Sequence, residues 1–304
     1  IRDRSEEPFD CLVVIGSDLG ELATNKWNPI LVPTDTFIQM HNSQQILARG
    51  FPMTRGVVGD VGALLSEFVD AADGTTVPND LAAARKAAVE HIKATYSPFN
   101  DPDLRDSTQT PLAPPALIAA INDALPDGSH IFVDAGNCVG WSMNYFVVDP
   151  PTQIHSALAM GPMGFGVGAV IGGKIADPSA VCLAVVGDGA FMMQVGEVAT
   201  AAQAGAGAIW VVLADHDLSM VSPGMAHFEK DPSFLSYYKL DWKDLGEVAR
   251  GFGAETYEVN SPSQAEAALH EAIAGSKKGI PQVIITTIDH SLVPPYYQPV
   301  TPTT

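Results

Sequence analysis

Two short apolar runs bracket a glycine-rich turn and a helix between residues 181 and 217, and no other stretch limits the fold so tightly. The first run, Val181 to Val186, carries no charge and is rich in β-branched residues, and the second, Ala208 to Leu213, is similar. Continuous apolar runs of this length fit strands buried on both faces, a property of parallel sheets. Between them lie Gly187-Asp188-Gly189, a helical stretch predicted from about Phe191 to Ala204, and a closing Ala-Gly-Ala-Gly. Strand, turn, helix and strand make a βαβ unit. The predicted class is therefore α/β, with parallel sheets flanked by helices.

The same unit sets Asp188 and Asp215 just past the carboxyl ends of two parallel strands, 27 residues apart in the chain. Open α/β sheets hold their ligands along that edge. Two carboxylates there suit one hard cation such as Mg²⁺, which takes few protein oxygens and keeps places for water and ligand phosphate. Gly189-Ala190 opens a helix, and the first N–H groups of a helix attract phosphate. A metal–diphosphate site is one reading. Gly-Asp-Gly is also an ordinary turn sequence, and the tripeptide alone leaves both open. A second segment, Met160-Gly161-Pro162-Met163-Gly164-Phe165-Gly166, precedes the first strand. By itself Met163 reads as core packing, the usual role of an isolated Met.

In this order and spacing, the two motifs resemble those of the thiamin-diphosphate enzymes, in the group of acetolactate synthase, benzoylformate decarboxylase and 2-oxo-acid decarboxylases. The resemblance covers nearly the whole chain and is strongest over 130–225. It implies thiamin diphosphate and Mg²⁺ as cofactors. It implies Asp188, Asp215 and the main-chain carbonyl of Asp217 as metal ligands. The family usually has two Asn where this chain reads Ala214-Asp215, so Asp215 keeps an oxygen and adds a negative charge. Gly187, Gly189 and Ala190 complete the implied diphosphate turn. The Gly161 carbonyl would take the aminopyrimidine amine, and Met163 would prop the cofactor in its V shape. Gly136, Asn137 and Cys138 fall in the loop that touches the diphosphate in relatives, Cys138 standing where His is common. Leu218, Ser219 and Met220 would lie over the thiazolium ring, with His216, His227 and Phe228 as candidates for the substrate wall. The Pro-rich tail after Asp289 would close as a lid. The implied reaction is decarboxylation of a 2-oxo acid, acyloin or acetohydroxy acid formation, or both.

Residues 1–74 read as part of a nucleotide-fold domain, with strands expected at Leu12–Gly16, Phe37–Met40 and Gly56–Asp60 and a helix at Val61–Asp70. His41 and Ser43 stand where flavin- or ADP-binding relatives are often acidic, so a structural domain is the preferred reading. Residues 75–113 read as a helix, capped by Asn79 or Asp80 and running to about Tyr96, followed by a Pro- and Asp-rich linker. The diphosphate-binding domain spans 114–304. Its remaining elements are expected as a helix at Pro115–Leu125, a strand at His130–Asp134, helices at Phe165–Ile175, Asp241–Phe252 and Ser263–Ala274 (capped by Ser261 or Ser263), and strands at Glu255–Val259 and Pro281–Asp289.

With 35 acidic against 16 basic residues, the chain carries a net charge of −19, which argues against nucleic acid or anionic membrane as partners. Three Cys without framework spacing suit a reducing, cytoplasmic setting. No signal peptide is read, and the long uncharged run over 150–173 is too broken by Gly and Pro to span a membrane. Ile1 in place of an initiator Met is expected where a chain begins at a cleavage or has been cut out of a longer sequence. The resemblance also calls for a Glu that activates the pyrimidine ring. Glu7, Glu21 and Glu67 lie in the wrong context for it, so the catalytic Glu is expected outside this chain. The expected partner is a pyrimidine-binding half, as a separate chain or an N-terminal fragment, in a dimer or tetramer of complete units. The rivals are a non-catalytic or regulatory paralogue, and an unrelated Mg²⁺-dependent phosphoryl-transfer enzyme.

Overall fold

The structure is a computed structural model that describes residues 9–21, 23–99, 101–223, 225 and 231–295. It divides into two units, Ile1–Pro98 and Phe99–Thr304. In the first, β1 (Cys11–Ile15), β2 (Thr36–His41) and β3 (Arg55–Val58) form a parallel sheet in that order. Val14, Phe37 and Phe51 are its buried core. Helices α1 (Val61–Ala72) and α2 (Asn79–Thr95) follow, and neither buries a residue. Asp60 caps α1 by accepting the Ala63 N–H at 2.9 Å. The cap expected for α2 is not made: Pro78 holds the cap position and Asn79 is already helical. A capping side chain needs non-helical backbone at its own residue, which Asn79 does not have. At the end of β2, His41 Nδ1 accepts the Ser43 N–H at 3.0 Å, which turns Nε2 toward Asp18 at 3.1 Å.

The second unit is built on β4 (His130–Val133), β5 (Gln153–His155), β6 (Cys182–Gly187), β7 (Ile209–Ala214), β8 (Glu255–Val259) and β9 (Gln282–Thr287). The order is β5-β4-β6-β7-β9-β8, with every pair parallel. Alternation along these strands sorts side chains into two layers. Ile131, Val133, Leu183, Val185, Ile209, Val211 and Ile284 share one core with α4 (Pro114–Ala124), α5 (Asn137–Tyr145) and a long helix, Pro262–Ser276. Phe132, Ala184, Val186, Trp210, Val212, Val283 and Ile285 share the other with α6 (Phe165–Ala176), α7 (Asp188–Gln194), α8 (Glu197–Ala204) and α9 (Leu245–Gly251). The long helix is α10, and the short helix Pro102–Arg105 ahead of α4 is α3. Both faces are thus apolar, which is why the strands read as unbroken hydrophobic runs. The one buried indole N–H among them, on Trp210, donates to the Val167 carbonyl at 3.1 Å.

Several boundaries move from their predicted places. The helix expected at Phe191 begins at Asp188, because Gly187 is still extended and caps it. It then splits near Val195-Gly196, where the ladder tightens to three-residue bonds, Val198 N–H to Val195 O and Ala199 N–H to Gly196 O, both 3.1 Å. The loop expected at Gly136–Cys138 is a bend at Ala135-Gly136 that runs straight into α5, whose first residues are Asn137 and Cys138. The helix expected from Asp241 starts only at Leu245, since the Asp244 carboxylate accepts the Glu247 N–H at 2.7 Å and caps it there. Ser261 holds the N-cap position of α10 but makes no side-chain cap bond. Strand β5 was not expected: it has three residues and pairs on one edge only, too short to leave a periodic signal.

Where α8 turns into β7, a Cβ on Gly207 would lie 2.0 Å from the Ser276 backbone carbonyl, and the Ser276 hydroxyl donates to the Gly207 carbonyl. Backbone cannot yield as a side-chain tip can. Gly207→Ala should cost about 3 kcal/mol or more and lower the melting temperature by roughly 6 °C or more. Heat denaturation followed by circular dichroism checks this, and an unchanged midpoint would contradict the packing.

Candidate active site

Strand order reverses between β4 and β6, since β5 lies on one side of β4 and β6 on the other. A ligand crevice belongs outside the carboxyl ends of strands at such a point. A cavity of about 270 Å³ lies there. Its walls are the turn Gly136-Asn137-Cys138 after β4, Gly161 and Met163 before α6, and Gly187 to Ala190 after β6. Asp215, Asp217, Leu218, Ser219 and Met220 after β7 close it. All the positions singled out for a cofactor or metal therefore meet in one cavity.

Asp188 is buried at the first turn of α7. Its Oδ1 accepts the Gly189 N–H at 2.8 Å, and its Oδ2 accepts the His216 N–H at 2.9 Å and the Trp242 indole N–H at 3.1 Å. Burial, and then the neighbouring Asp215 charge, push its carboxyl up to about 6. Asp215 is raised as well, chiefly by burial, with the Ser219 hydroxyl pulling it back. Its oxygens accept the Asp217 N–H at 3.1 Å and the Ser219 hydroxyl at 2.5 Å.

Asp217 faces Lys239 in an antiparallel bridge. The bridge bonds run from Leu218 N–H to Tyr238 O and from Leu240 N–H to His216 O, both 2.9 Å. Asp217 is thus the non-hydrogen-bonded position, and its own carbonyl points away from that ladder. Its carboxylate Oδ2 accepts from Lys239 Nζ at 2.7 Å and from the Ser222 hydroxyl at 2.8 Å, while Oδ1 is buried without a partner among the described residues.

The residue that fixes the opposite wall, Asp134, escaped the sequence reading. It is fully buried at the end of β4. Oδ1 accepts the N–H groups of Ala135 at 2.7 Å and Gly164 at 2.9 Å, and Oδ2 accepts that of Gly166 at 2.7 Å. Burial raises its carboxyl, and those N–H groups oppose the rise. Asp134 so ties the 135–138 turn to the segment carrying Met163. Gly164 adopts φ of 90°, which only glycine takes readily. Met163 keeps 38% of its surface exposed, which is not the burial of a core residue. The Cys138 thiol turns inward and donates to the Asp134 carbonyl at 2.9 Å, and burial pushes it far up, so it is not a thiolate.

His216 is not among the cavity walls. Its ring stacks on Trp242 instead, with centroids 3.8 Å apart at 17°. His227 and Phe228, and the tail from residue 296 on, lie outside the described residues. Trp242 and Lys239 were also missed. A lone Trp in the polar stretch Asp241-Trp242-Lys243-Asp244 was the available signal for the first.

Among the described residues, no cluster of three or more His, Cys, Asp or Glu side chains is disposed to hold a metal. The donor set here is different: a buried and a half-buried carboxylate that repel each other, a carbonyl free of its ladder, and on Asp217 a carboxylate oxygen without a partner among the described residues. A divalent cation would offset the repulsion between Asp188 and Asp215 and take oxygen donors of this kind, so the chemistry of the residues fits the metal the fold implies.

The family profile described as "Thiamine pyrophosphate enzyme, C-terminal TPP binding domain" matches residues 134–286, about half of the chain. A Mycobacterium tuberculosis chain provisionally named as an acetolactate synthase large subunit, IlvB2, is 27% identical over 273 residues, covering 89% of this chain and 47% of its own length. The acetolactate synthase isozyme 1 large subunit of Escherichia coli is 30% identical over 192 residues, covering 61% and 33%. Among solved structures, the thiamine diphosphate-dependent 4-hydroxybenzoylformate decarboxylase of Rhodococcus jostii RHA1 shares the fold with a TM-score of 0.69 at 17% identity, over 92% of this chain and 49% of that one. The chain spans about half the length, or less, of the curated relatives it matches.

The Asp188–Asp215 pair makes a stability prediction with a definite sign. A carboxyl held above its ordinary value of 3.8 penalises the fold when ionised. The penalty is full above pH 6 and fades as pH falls through about 6. Asp215→Asn keeps an acceptor for the Asp217 N–H and removes the charge. Without metal at pH 7.5 it should raise stability by about 1 kcal/mol, or roughly 2–4 °C in melting temperature. The gain should shrink at pH 5. Equal shifts at both pH values would show that the two carboxylates do not feel each other.

Proposed function

Because the chain belongs to the thiamine pyrophosphate enzymes and carries their C-terminal binding domain, we propose that it supplies the diphosphate and metal site of a thiamin-diphosphate- and Mg²⁺-dependent lyase or carboligase acting on a 2-oxo acid. The observation that carries this reading is the single cavity at the switch point, walled by every residue expected to hold the cofactor or the metal. Asp188, Asp215 and the Asp217 carbonyl hold the cation. The turns at Gly136-Asn137-Cys138 and Gly187 to Ala190 hold the diphosphate, and N–H groups at the start of α7 face it. Gly161 and Met163 shape the middle of the cofactor, and Leu218, Ser219 and Met220 lie along the ring. When bound, the cofactor supplies an electron sink for carbon–carbon bond cleavage and formation. The protein's part is to orient, to exclude water and to fix charge.

A pyrimidine-binding half, with the activating Glu, completes the site in this reading. Met160 at 88% exposure, with Met143, Met192 and Met193 also exposed on the second unit, supports an apolar partner surface. Interfaces of this kind close by two-fold symmetry, so two copies of each half give two complete sites. A cytoplasmic location goes with it, in keeping with three free cysteines. No helix among the described residues is long and apolar enough to cross a membrane.

Denaturing the protein purified with its pyrimidine-binding half should release stoichiometric thiamin diphosphate, detected by oxidation to a fluorescent product. None released, and none bound on titration with Mg²⁺, would leave the non-catalytic paralogue as the better reading. Asp188→Ala should abolish metal-dependent cofactor binding in titration calorimetry. Met163→Ala should slow turnover about tenfold or more, a rise of roughly 1.4 kcal/mol in the barrier, with a near-normal melting temperature. A lower melting temperature with normal turnover per folded molecule would reduce Met163 to core packing.

A further inference from the structure

The three donors on Asp188 are unevenly shared. Among the described residues, Oδ2 accepts two, the His216 N–H at 2.9 Å and the Trp242 indole N–H at 3.1 Å, whereas Oδ1 accepts only the Gly189 N–H at 2.8 Å. A carboxylate oxygen offers two acceptor positions. Oδ2 is therefore full, and one position remains, on Oδ1.

The arrangement that fills Oδ2 is itself built with care for geometry. His216 has φ of 57°, a left-handed conformation that non-glycine residues rarely adopt. That twist directs its N–H to Asp188. The residue is kept there from two sides: Leu240 N–H donates to its carbonyl at 2.9 Å, and its ring lies against Trp242 with centroids 3.8 Å apart. The bridge between Asp217 and Lys239 holds the same two segments together. Trp242, two residues past Leu240, is thus delivered to Asp188 with its only polar atom on the carboxylate.

We propose that Trp242 is a positioning residue for the metal site: its indole N–H fixes Asp188 Oδ2 and so reserves Oδ1 for the divalent cation. The inference rests on the metal–diphosphate reading above. Groups that orient a metal-binding carboxylate typically change metal affinity 10- to 100-fold when lost. An indole that merely covered apolar surface would have no such effect.

The test separates the N–H from the ring. Trp242→Phe keeps an aromatic ring over His216 without the donor. β-(3-Benzothienyl)alanine placed at 242 keeps the shape of Trp with sulfur in place of N–H, and serves should Phe disturb folding. The probe is Mn²⁺ with inorganic pyrophosphate, and free Mn²⁺ is followed by electron paramagnetic resonance on the full 304-residue chain. The expected result is a dissociation constant raised about tenfold or more, with a metal-free melting temperature close to that of the parent. Unchanged affinity in a folded variant overturns the proposal, as does an affinity loss matched by the fraction unfolded. A parent chain that takes up no Mn²⁺ with pyrophosphate fails at the earlier step, overturning the metal reading and the positioning role with it.

Discussion

Covering both faces of a six-stranded parallel sheet with apolar helices drives polar chemistry to the ends of the strands. The two cores on either side of β4, β6, β7 and β9 are built almost wholly of aliphatic and aromatic side chains. The buried acids of this unit accordingly appear where strands stop, Asp134 after β4 and Asp188 after β6, with the half-buried Asp215 after β7. There the backbone changes direction and its N–H groups are free of the ladder. Asp134 and Asp188 each collect three N–H donors. The sheet that stabilises the unit is thus also what gathers charge into one place, at the point where strand order reverses.

The central βαβ of this unit was legible because burial on both faces writes an unmistakable pattern into the strands, and because Gly-Asp-Gly marks where one of them ends. The cavity walls were legible through the family motifs, which carry loop positions that no periodicity reveals. What escaped did so for physical reasons. Strand β5 is three residues long and gains its order from one neighbour. The break between α7 and α8 comes from a local tightening at Gly196 that leaves the apolar spacing intact. Asp134 looks like any acid at the end of a strand, since its partners Gly164 and Gly166 lie thirty or more residues away. Trp242 sits among charged neighbours and reaches Asp188 across 54 residues. Long-range hydrogen bonds to main-chain N–H groups leave no signature in residue type, so a single sequence cannot display them.

The first unit follows a different balance. Its three strands enclose only a small buried cluster, and Phe68 and Val69 on α1 remain exposed. Its local order comes instead from caps and short polar contacts, such as Asp60 on α1 and the Gln39 side chain, which links the Ser17 carbonyl to the Ala48 N–H. Local hydrogen bonds of that kind set loop shape but add little stability on their own.

The grip of Asp134 on two loops has a consequence for how this site could change over time. One carboxylate reads the position of Ala135 on one side and of Gly164 and Gly166 on the other, and a Cβ at Gly166 would already press on it at 3.1 Å. The two loops are therefore not independent parts. An insertion in either would pull the shared carboxylate off its other partners. Diversity in this cavity should accumulate along 218–221, whose anchors are its own turn and Tyr238, while the walls at 135–138 and 161–166 would be inherited, or transplanted by an engineer, only as a pair.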